Sequence, residues 1–230
     1  MGRAGSGHRD RMAAFDIAAL DIDGTLIDSN YHHAIAWSRA FEQVLDRHVA
    51  LAAIHRAIGM GGDRLVAAVT SDDVEREHGD AIRDRWEREY DGMLEETRLF
   101  DGAVDLLVGL REAGLKVVLA SSSIPKHADH ALQLLNAQEH ADAWTTSEDA
   151  EASKPDPELL DEALEKVGGG RALMIGDSVW DVVAATRRGD PTVGLLSGGS
   201  GRQELLDAGA VAVYAYPRDL LENLDEVLDR

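Results

Sequence analysis

The sequence contains no cysteine, and its basic side chains are few. The absence of cysteine excludes disulfide bonds, thiolate metal sites and a cysteine nucleophile. Across 230 residues, 23 Lys and Arg stand against 43 Asp and Glu, for a formal net charge of −20 at pH 7. An even negative field repels nucleic acid backbones and anionic membranes, so we expect neither as a partner. It also repels small anions, so a binding site for one would need a metal ion or local cations.

Lysine and long apolar segments are scarce as well. Only four of the 23 basic residues are lysine, at positions 116, 126, 154 and 166. No segment is long and apolar enough to span a membrane. Residues 1–12 are rich in Gly and Arg and lack the apolar stretch of a signal peptide, so we expect a flexible tail. These features predict a cytoplasmic protein and leave its oligomeric state open.

Beyond residue 12, short apolar runs alternate with segments of helical periodicity. Two helices are predicted at about 102–113 and 157–167. Alternation of this kind predicts an α/β fold, with a Rossmann-like parallel sheet between two layers of helices. The apolar runs that predict strands lie at 15–20, 115–120, 172–175, 192–196 and 210–215, with a weaker one at 143–146.

The stretch from residue 31 to residue 98 departs from this alternation. It shows helical periodicity and charge pairs but no convincing strand, and it is longer than one crossover between strands requires. An inserted all-helical domain is the economical interpretation. The predicted organisation is therefore a core domain at 13–30 and 99–230 and a helical domain at 31–98.

Polar clusters follow several predicted strands, at the edge where open α/β sheets bind their ligands. Asp21 and Asp23, in the sequence DIDGT, could point into one crevice or simply form an acidic turn. The serines at 121–123 could bind phosphate oxygens or cap the helix that follows. Neither cluster alone distinguishes a functional role from a structural one.

Two further clusters have the same ambiguity. Lys154, in SKPDP, precedes a proline and is extended, and a lone lysine is usually a surface charge. Asp177 and Asp181, in GDSVWD, are four residues apart and would share a helix face. They could equally be a helix cap and its dipole partner.

The order of these clusters is more informative than any one of them. DxDGT, then Ser, then Lys-Pro, then GDxxxD, each at a strand end, resembles the ordered signature of the haloacid dehalogenase-like superfamily. FDIAALDIDGTLIDS, residues 15–29, is similar to its opening motif. The spacing from Asp23 to Ser121 is similar to that of members with an inserted helical cap. The chain thus resembles the phosphoglycolate phosphatase and β-phosphoglucomutase branch.

This resemblance implies a mechanism for the first aspartate pair. Asp21 would attack phosphorus and form an aspartyl-phosphate. Asp23 would protonate the leaving oxygen and later deprotonate the attacking water. Because the acid step needs a protonated carboxyl near neutral pH, the resemblance also implies that the pKa of Asp23 is raised.

The resemblance also implies a metal ion and a phosphate site. Mg²⁺ would be bound by the Asp21 carboxylate, the Asp23 backbone carbonyl and Asp177. Asp181 would act on it through water or through neighbouring groups. The residues that would hold the phosphoryl oxygens are Ser121, Ser122 and Lys154, and Ser121 and Lys154 would be catalytic with the aspartate pair.

Several activities occur in the superfamily. Its dehalogenases lack the second aspartate, and its phosphonate hydrolases use a cap lysine, whereas no lysine occurs before position 116. We therefore expect a Mg²⁺-dependent phosphatase acting on a small phosphorylated metabolite, phosphoglycolate-like or sugar-phosphate-like. Two alternatives stay open, a β-phosphoglucomutase-type phosphotransferase and a non-catalytic regulatory protein that binds a phosphate ligand.

The mutase alternative depends on the inserted domain. The segment 31–37 is similar to that of β-phosphoglucomutases, with His33 and Trp37 matching. The loop at 58–64 instead carries glycine and apolar residues where those enzymes bind a second phosphate. The residues expected to contact substrate are His33, Trp37, Met60 and Arg64, although Trp37 could equally be a packing residue.

Overall fold

A six-stranded parallel sheet lies at the centre of the computed structural model, which describes residues 15–229. The predicted tail at 1–12 lies outside these residues. The strands are β1 (Ile17–Leu20), β2 (Ile27–Asp28), β3 (Arg98–Leu99), β4 (Lys116–Ala120), β5 (Ala143–Thr145), β6 (Ala172–Gly176), β7 (Thr192–Leu195) and β8 (Ala212–Tyr214). The sheet order is β5-β4-β1-β6-β7-β8, which makes β1 a central strand.

Helices connect these strands and cover the sheet. None of them, within residues 15–229, has the length and apolar character needed to cross a membrane. They are α1 (Asn30–Leu45), α2 (Leu51–Ala57), α3 (Gly62–Val69), α4 (Asp72–Asp91), α5 (Ala103–Glu112), α6 (Pro125–Leu134), α7 (Ala137–His140), α8 (Glu158–Glu165), α9 (Val179–Arg188), α10 (Arg202–Ala208), α11 (Pro217–Glu222) and α12 (Leu224–Leu228).

The sheet is apolar on both faces, because successive side chains of a strand point to opposite sides. In β1, Ala18 and Leu20 belong to the hydrophobic cluster that includes the buried residues of α5. Ile17 and Ala19 belong to the opposite cluster, which includes the buried residues of α8. The predicted three-layer α/β core is therefore confirmed.

The helices α1 to α4 lie between β2 and β3 and have a hydrophobic cluster of their own. It contains the large buried side chains Trp37, Phe41, Ile54, Leu65 and Ile82. A separate core is what an inserted domain requires. We propose that residues 31–98 form this domain, called the cap from here on.

The chain leaves and re-enters the core at a two-stranded antiparallel pair. Ile27 of β2 is opposite Leu99 of β3, and Asp28 is opposite Arg98. The two ends of the insertion are thus held side by side, close to the end of β1. The short pair was not predicted, because two residues are too few to show alternation.

The cap core can be tested at Ile82, which is fully buried. We expect Ile82→Ala to lower the free energy of unfolding by about 2–5 kcal/mol, since it leaves a cavity. The control is Ile35→Ala, because Ile35 is 36% exposed, with an expected loss below about 1 kcal/mol. Urea unfolding followed by tryptophan fluorescence measures both, and equal losses would contradict a separate cap core.

Candidate active site

Asp21 and Lys154 meet at the carboxyl edge of the sheet. Asp21 directly follows β1, where its backbone N–H donates to the carbonyl of Ile175 in β6 over 3.0 Å. The Nζ of Lys154 donates to Asp21 Oδ1 and lies 2.7 Å from Asp181 Oδ1. Lys154 is only 3% exposed, so the interpretation as a solvated surface charge does not describe it.

Asp177 lies on the other side of Asp21, at the end of β6. Thr25 Oγ1 donates to Asp177 Oδ1 over 2.9 Å, and Asn30 Nδ2 donates to Asp177 Oδ2 over 2.8 Å. Gly24 allows the chain to pass this close to Asp177, because its φ of 77° produces a turn there. A Cβ at Gly24 would lie 2.6 Å from Asp177 Oδ2, too close for any other residue.

The helix after Asp177 is capped by its neighbour, not by Asp177 itself. Ser178 is the N-cap of α9 and forms a capping box with Asp181. The Ser178 N–H donates to Asp181 Oδ2 over 3.0 Å, and the Asp181 N–H donates to Ser178 Oγ over 3.3 Å. Asp177 is therefore free for the site, while the other oxygen of Asp181 faces Lys154.

Asp21, Asp177 and Asp181 form a buried acidic cluster. One carboxylate oxygen from each lies within 4.8 Å of the others. Burial raises the pKa of Asp21 to about 7 against the opposing charge of Lys154. Burial, with the charges of Asp181 and Asp21, also raises the pKa of Asp177. Hard oxygen donors in this number fit a divalent cation such as Mg²⁺.

Lys154 remains a cation in this setting. Burial favours its neutral form, but the charges of Asp181 and Asp21 outweigh burial and raise the pKa of Lys154. One lysine facing three carboxylates leaves the cluster with excess negative charge when all three are ionised. A bound metal ion would offset that excess.

Asp23 has a different environment from the one expected. Ser29 Oγ donates to its Oδ1 over 2.6 Å, Ser123 Oγ donates to its Oδ2 over 2.7 Å, and His33 Nε2 lies 3.3 Å from Oδ1. Burial alone would raise the pKa of Asp23. The charge of His33 and these hydrogen bonds lower that pKa by more than burial raises it, so the pKa of Asp23 lies below its usual range. The expectation of a raised pKa is therefore wrong for this arrangement.

The serine triplet follows β4 and faces the same site. Ser121 is buried, and its Oγ accepts a hydrogen bond from the Ser123 N–H over 3.1 Å. Ser122 lines the cavity beside the aspartates. The N-cap of α6 is Ile124, without a side-chain cap, so the capping interpretation of the triplet is wrong. Ser123 was missed as a partner of Asp23, because three adjacent serines give no signal that separates their roles.

Of the four residues expected to contact substrate, three line the small cavity beside the aspartates and one does not. Trp37 and Met60 line a small cavity together with Asp21 and Asp23. Trp37 is also buried and stacks on Trp86 at a centroid distance of 4.9 Å. It therefore serves cap packing while forming part of the wall.

Arg64 lies away from the cavity, whereas His33 lines it and also contacts Asp23. Arg64 is not among the residues that line this cavity, because the first turn of α3 directs it outward, where it pairs with Asp63 at 3.6 Å. His33 does line the cavity, but its ring stacks on Tyr90 at 3.8 Å and its Nε2 faces Asp23. Its contact is with the second aspartate.

The chain is similar to known hydrolases over most of its length. A family model described as haloacid dehalogenase-like hydrolase matches residues 15–189. A solved structure of a hydrolase from Pseudomonas syringae has a TM-score of 0.85 and 34% identity, covering 92% of this chain and 98% of that one. A phosphoglycolate phosphatase from Vibrio cholerae is 28% identical over 196 residues, 81% of this chain and 87% of the relative. A validoxylamine A 7'-phosphate phosphatase from Streptomyces hygroscopicus is 26% identical, over 79% of this chain and 85% of the relative.

The acidic cluster predicts that Mg²⁺ stabilises the fold in a pH-dependent way. Because the pKa of Asp21 is raised to about 7, its contribution to metal-free stability is present below pH 4 and lost as pH rises through 7. Mg²⁺ competes with that proton, so its effect on Tm should be larger at pH 8 than at pH 6. At about 100 times Kd the stabilisation is about 2.7 kcal/mol. Differential scanning fluorimetry with Mg²⁺ or EDTA measures it, and a shift that shrinks with rising pH would contradict the cluster as the metal site.

Gly198 allows a separate test of Asp177. A Cβ at Gly198 would lie 1.7 Å from Asp177 Oδ2, so Gly198→Ala must displace that carboxylate. We expect the Mg²⁺-induced Tm shift to fall by at least half at a fixed Mg²⁺ concentration. The control is Gly92→Ala, where the nearest contact is 3.5 Å. A full Mg²⁺ response in Gly198→Ala would show that Asp177 is not a ligand.

Proposed function

The chain belongs to the haloacid dehalogenase-like hydrolase family, as its motifs indicated, and from that premise we propose that it is a Mg²⁺-dependent phosphatase. It hydrolyses a small phosphomonoester through an aspartyl-phosphate on Asp21. The observation that carries this proposal is the buried Asp21–Lys154 pair at the floor of a cavity whose other acid is Asp23. The two curated relatives are named for phosphatase reactions on different esters, which supports the reaction class.

Three groups of the chain would bind the metal ion. They are the carboxylates of Asp21 and Asp177 and the backbone carbonyl of Asp23. When bound, Mg²⁺ neutralises charge on the phosphoryl oxygens and lowers the pKa of the carboxylates that bind it. The carboxylate of Asp181 instead pairs with Lys154 at 2.7 Å, so its effect on the ion is indirect.

In the first half of the reaction, an ionised Asp21 oxygen attacks phosphorus and the bond to the ester oxygen breaks. The leaving oxygen takes a proton as it departs, which Asp23 supplies. Lys154, with Ser121 and Ser122 from the edge of the next strand, holds the phosphoryl oxygens. Lys154 also favours the ionised form of Asp21, because its charge opposes the effect of burial on that pKa.

In the second half, a water molecule attacks phosphorus and Asp23 takes its proton. The bond between Asp21 and phosphorus breaks, so inorganic phosphate leaves and the carboxylate is restored. The lowered pKa of Asp23 keeps it ionised and so able to accept a proton in this step, although a carboxylate of low pKa is a weak base. For the acid step Asp23 must first take up a proton, and the negative charge of a phosphoryl group bound beside it would raise its pKa toward that state.

The mutase alternative needs a cationic site for a second phosphate. The cap loop beside Asp21 presents Gly59, Met60 and Gly61 to the cavity, and Arg64 lies outside it. A non-catalytic binding protein would have no use for an acid and base opposite the nucleophile. We therefore favour hydrolysis over both alternatives.

The test of this function is hydrolysis of p-nitrophenyl phosphate. We expect Mg²⁺-dependent release of phosphate, and a loss of kcat of at least about 10³-fold in Asp21→Asn, which removes the nucleophile. The matched control is Asp28→Asn, since Asp28 is an exposed acid of β2. The intermediate is tested by borohydride, which reduces an aspartyl-phosphate to homoserine detectable at position 21 by mass spectrometry. An active enzyme without this product under turnover would contradict the covalent route.

A further inference from the structure

Two cavities meet at the candidate catalytic residues. The first, called the catalytic cavity, contains Asp21 and Asp23 and has a volume of about 50 Å³. The second, called the outer cavity, has a volume of about 280 Å³. Sites for small molecules usually measure about 300–1,000 Å³, so the catalytic cavity alone is too small for a whole ester.

The two cavities adjoin and share part of their walls. The four residues common to both linings are Gly61, Gly62, Trp86 and Ser122. A cleft of about 650 Å³ lies beyond Asp177, but it shares only Ile58 with the catalytic cavity and has neither Asp21 nor Asp23 in its lining. An ester whose phosphorus is at Asp21 and whose leaving oxygen is near Asp23 therefore extends into the outer cavity.

The outer cavity has an acidic lining. Four carboxylates line it, and Arg83 is the one basic side chain among the described lining residues. In the catalytic cavity no lysine or arginine belongs to the described lining, and Lys154, which contacts Asp21, is buried. The four acids are Asp63, Asp84, Glu87 and Glu151.

The guanidinium of Arg83 forms ion pairs with two carboxylates of the cap. Its Nη1 donates to both carboxylate oxygens of Glu75, at 2.8 and 3.0 Å, and to the Gly62 carbonyl at 3.0 Å. Its Nη2 donates to Asp80 at 2.8 Å. Two carboxylates thus neutralise the single guanidinium, and the field in the outer cavity is set by the acids.

We propose that the alcohol portion of the substrate carries no negative charge, and that an amine-bearing alcohol is preferred over a neutral one. This inference rests on the proposed phosphatase function and deepens it. A carboxylate or a second phosphate on the leaving group would meet these acids, while the arginines beside them are already paired, Arg83 with Glu75 and Asp80 and Arg64 with Asp63. The curated relative from Vibrio cholerae is named for phosphoglycolate, whose leaving group carries a carboxylate, so the preferred substrate of this chain would differ from the one in that name.

The test uses three phosphate esters of nearly equal size that differ in charge. They are phosphoethanolamine, hydroxyethyl phosphate and phosphoglycolate, each compared by kcat/KM with saturating Mg²⁺. We expect phosphoglycolate to be at least about tenfold poorer than hydroxyethyl phosphate. Phosphoethanolamine should give a higher kcat/KM than the neutral ester, and an equal or lower value would overturn the preference for an amine. If phosphoglycolate instead gives an equal or higher kcat/KM than the neutral ester, the inference is overturned.

Removing acidic charge from the outer cavity tests whether its carboxylates cause this order of substrates. The double substitution Glu87→Gln and Glu151→Gln should make phosphoglycolate a better substrate relative to hydroxyethyl phosphate, raising the ratio between their kcat/KM values by about threefold to tenfold. Glu222→Gln, on exposed α11, is the control and should leave that ratio unchanged. A ratio that stays fixed in the double variant would overturn the role of these acids.

The outcomes separate this inference from the proposed function. If none of the three esters and no p-nitrophenyl phosphate is hydrolysed with Mg²⁺, the phosphatase function itself is wrong and the inference is overturned with it. If p-nitrophenyl phosphate is hydrolysed and the carboxylate ester is preferred, the phosphatase function stands and only the inference is overturned.

Discussion

The ion pairs of Lys154 are the interaction on which the rest of the site depends. Three buried carboxylates from two strand ends and a helix would repel one another strongly in the low dielectric of the interior. A buried charge is tolerated only when it is paired and hydrogen-bonded. Lys154 supplies that pairing for Asp21 and Asp181 together. The end of β1, the first turn of α9 and the loop after β5 are thereby held at one point.

Local structure around Lys154 and its two partners orients the carboxylates of Asp181 and Asp177. The capping box of α9 fixes one oxygen of Asp181 on Ser178 and leaves the other for Lys154. Thr25, the last residue of the first motif, and Asn30, the first residue of α1, fix Asp177 by its two oxygens. Ordinary ways of starting a helix or turning a chain thus set the geometry of the acidic cluster. In Asp181 the two arrangements coexist, since one oxygen belongs to the capping box and the other contacts Lys154.

The sequence predicted the fold and the main acids because those features are local or periodic. The alternation in β1 and the order of the clusters could be recognised without knowing any contact. The environment of Asp23 could not, because it joins Ser29 and His33, from the start of α1, to Ser123, which lies 100 residues along the chain from Asp23. The direction of Arg64 was equally hidden, since it depends on where the first turn of α3 begins.

The excess of acids in the sequence bears on how the site would bind an anion, and Lys154, one of only four lysines, lies at that site. A chain of net charge −20 must attract a phosphate dianion, and it does so at one point, with a buried lysine and a set of carboxylates suited to a metal ion. Elsewhere along the substrate path its cationic side chains are paired within the protein, as Arg83 is with Glu75 and Asp80. In the proposed reaction, attraction would be confined to the phosphoryl group, while the surrounding field would act on the alcohol. Reactivity and selectivity would then depend on different charges, one set buried beside the nucleophile and the other lining the outer cavity.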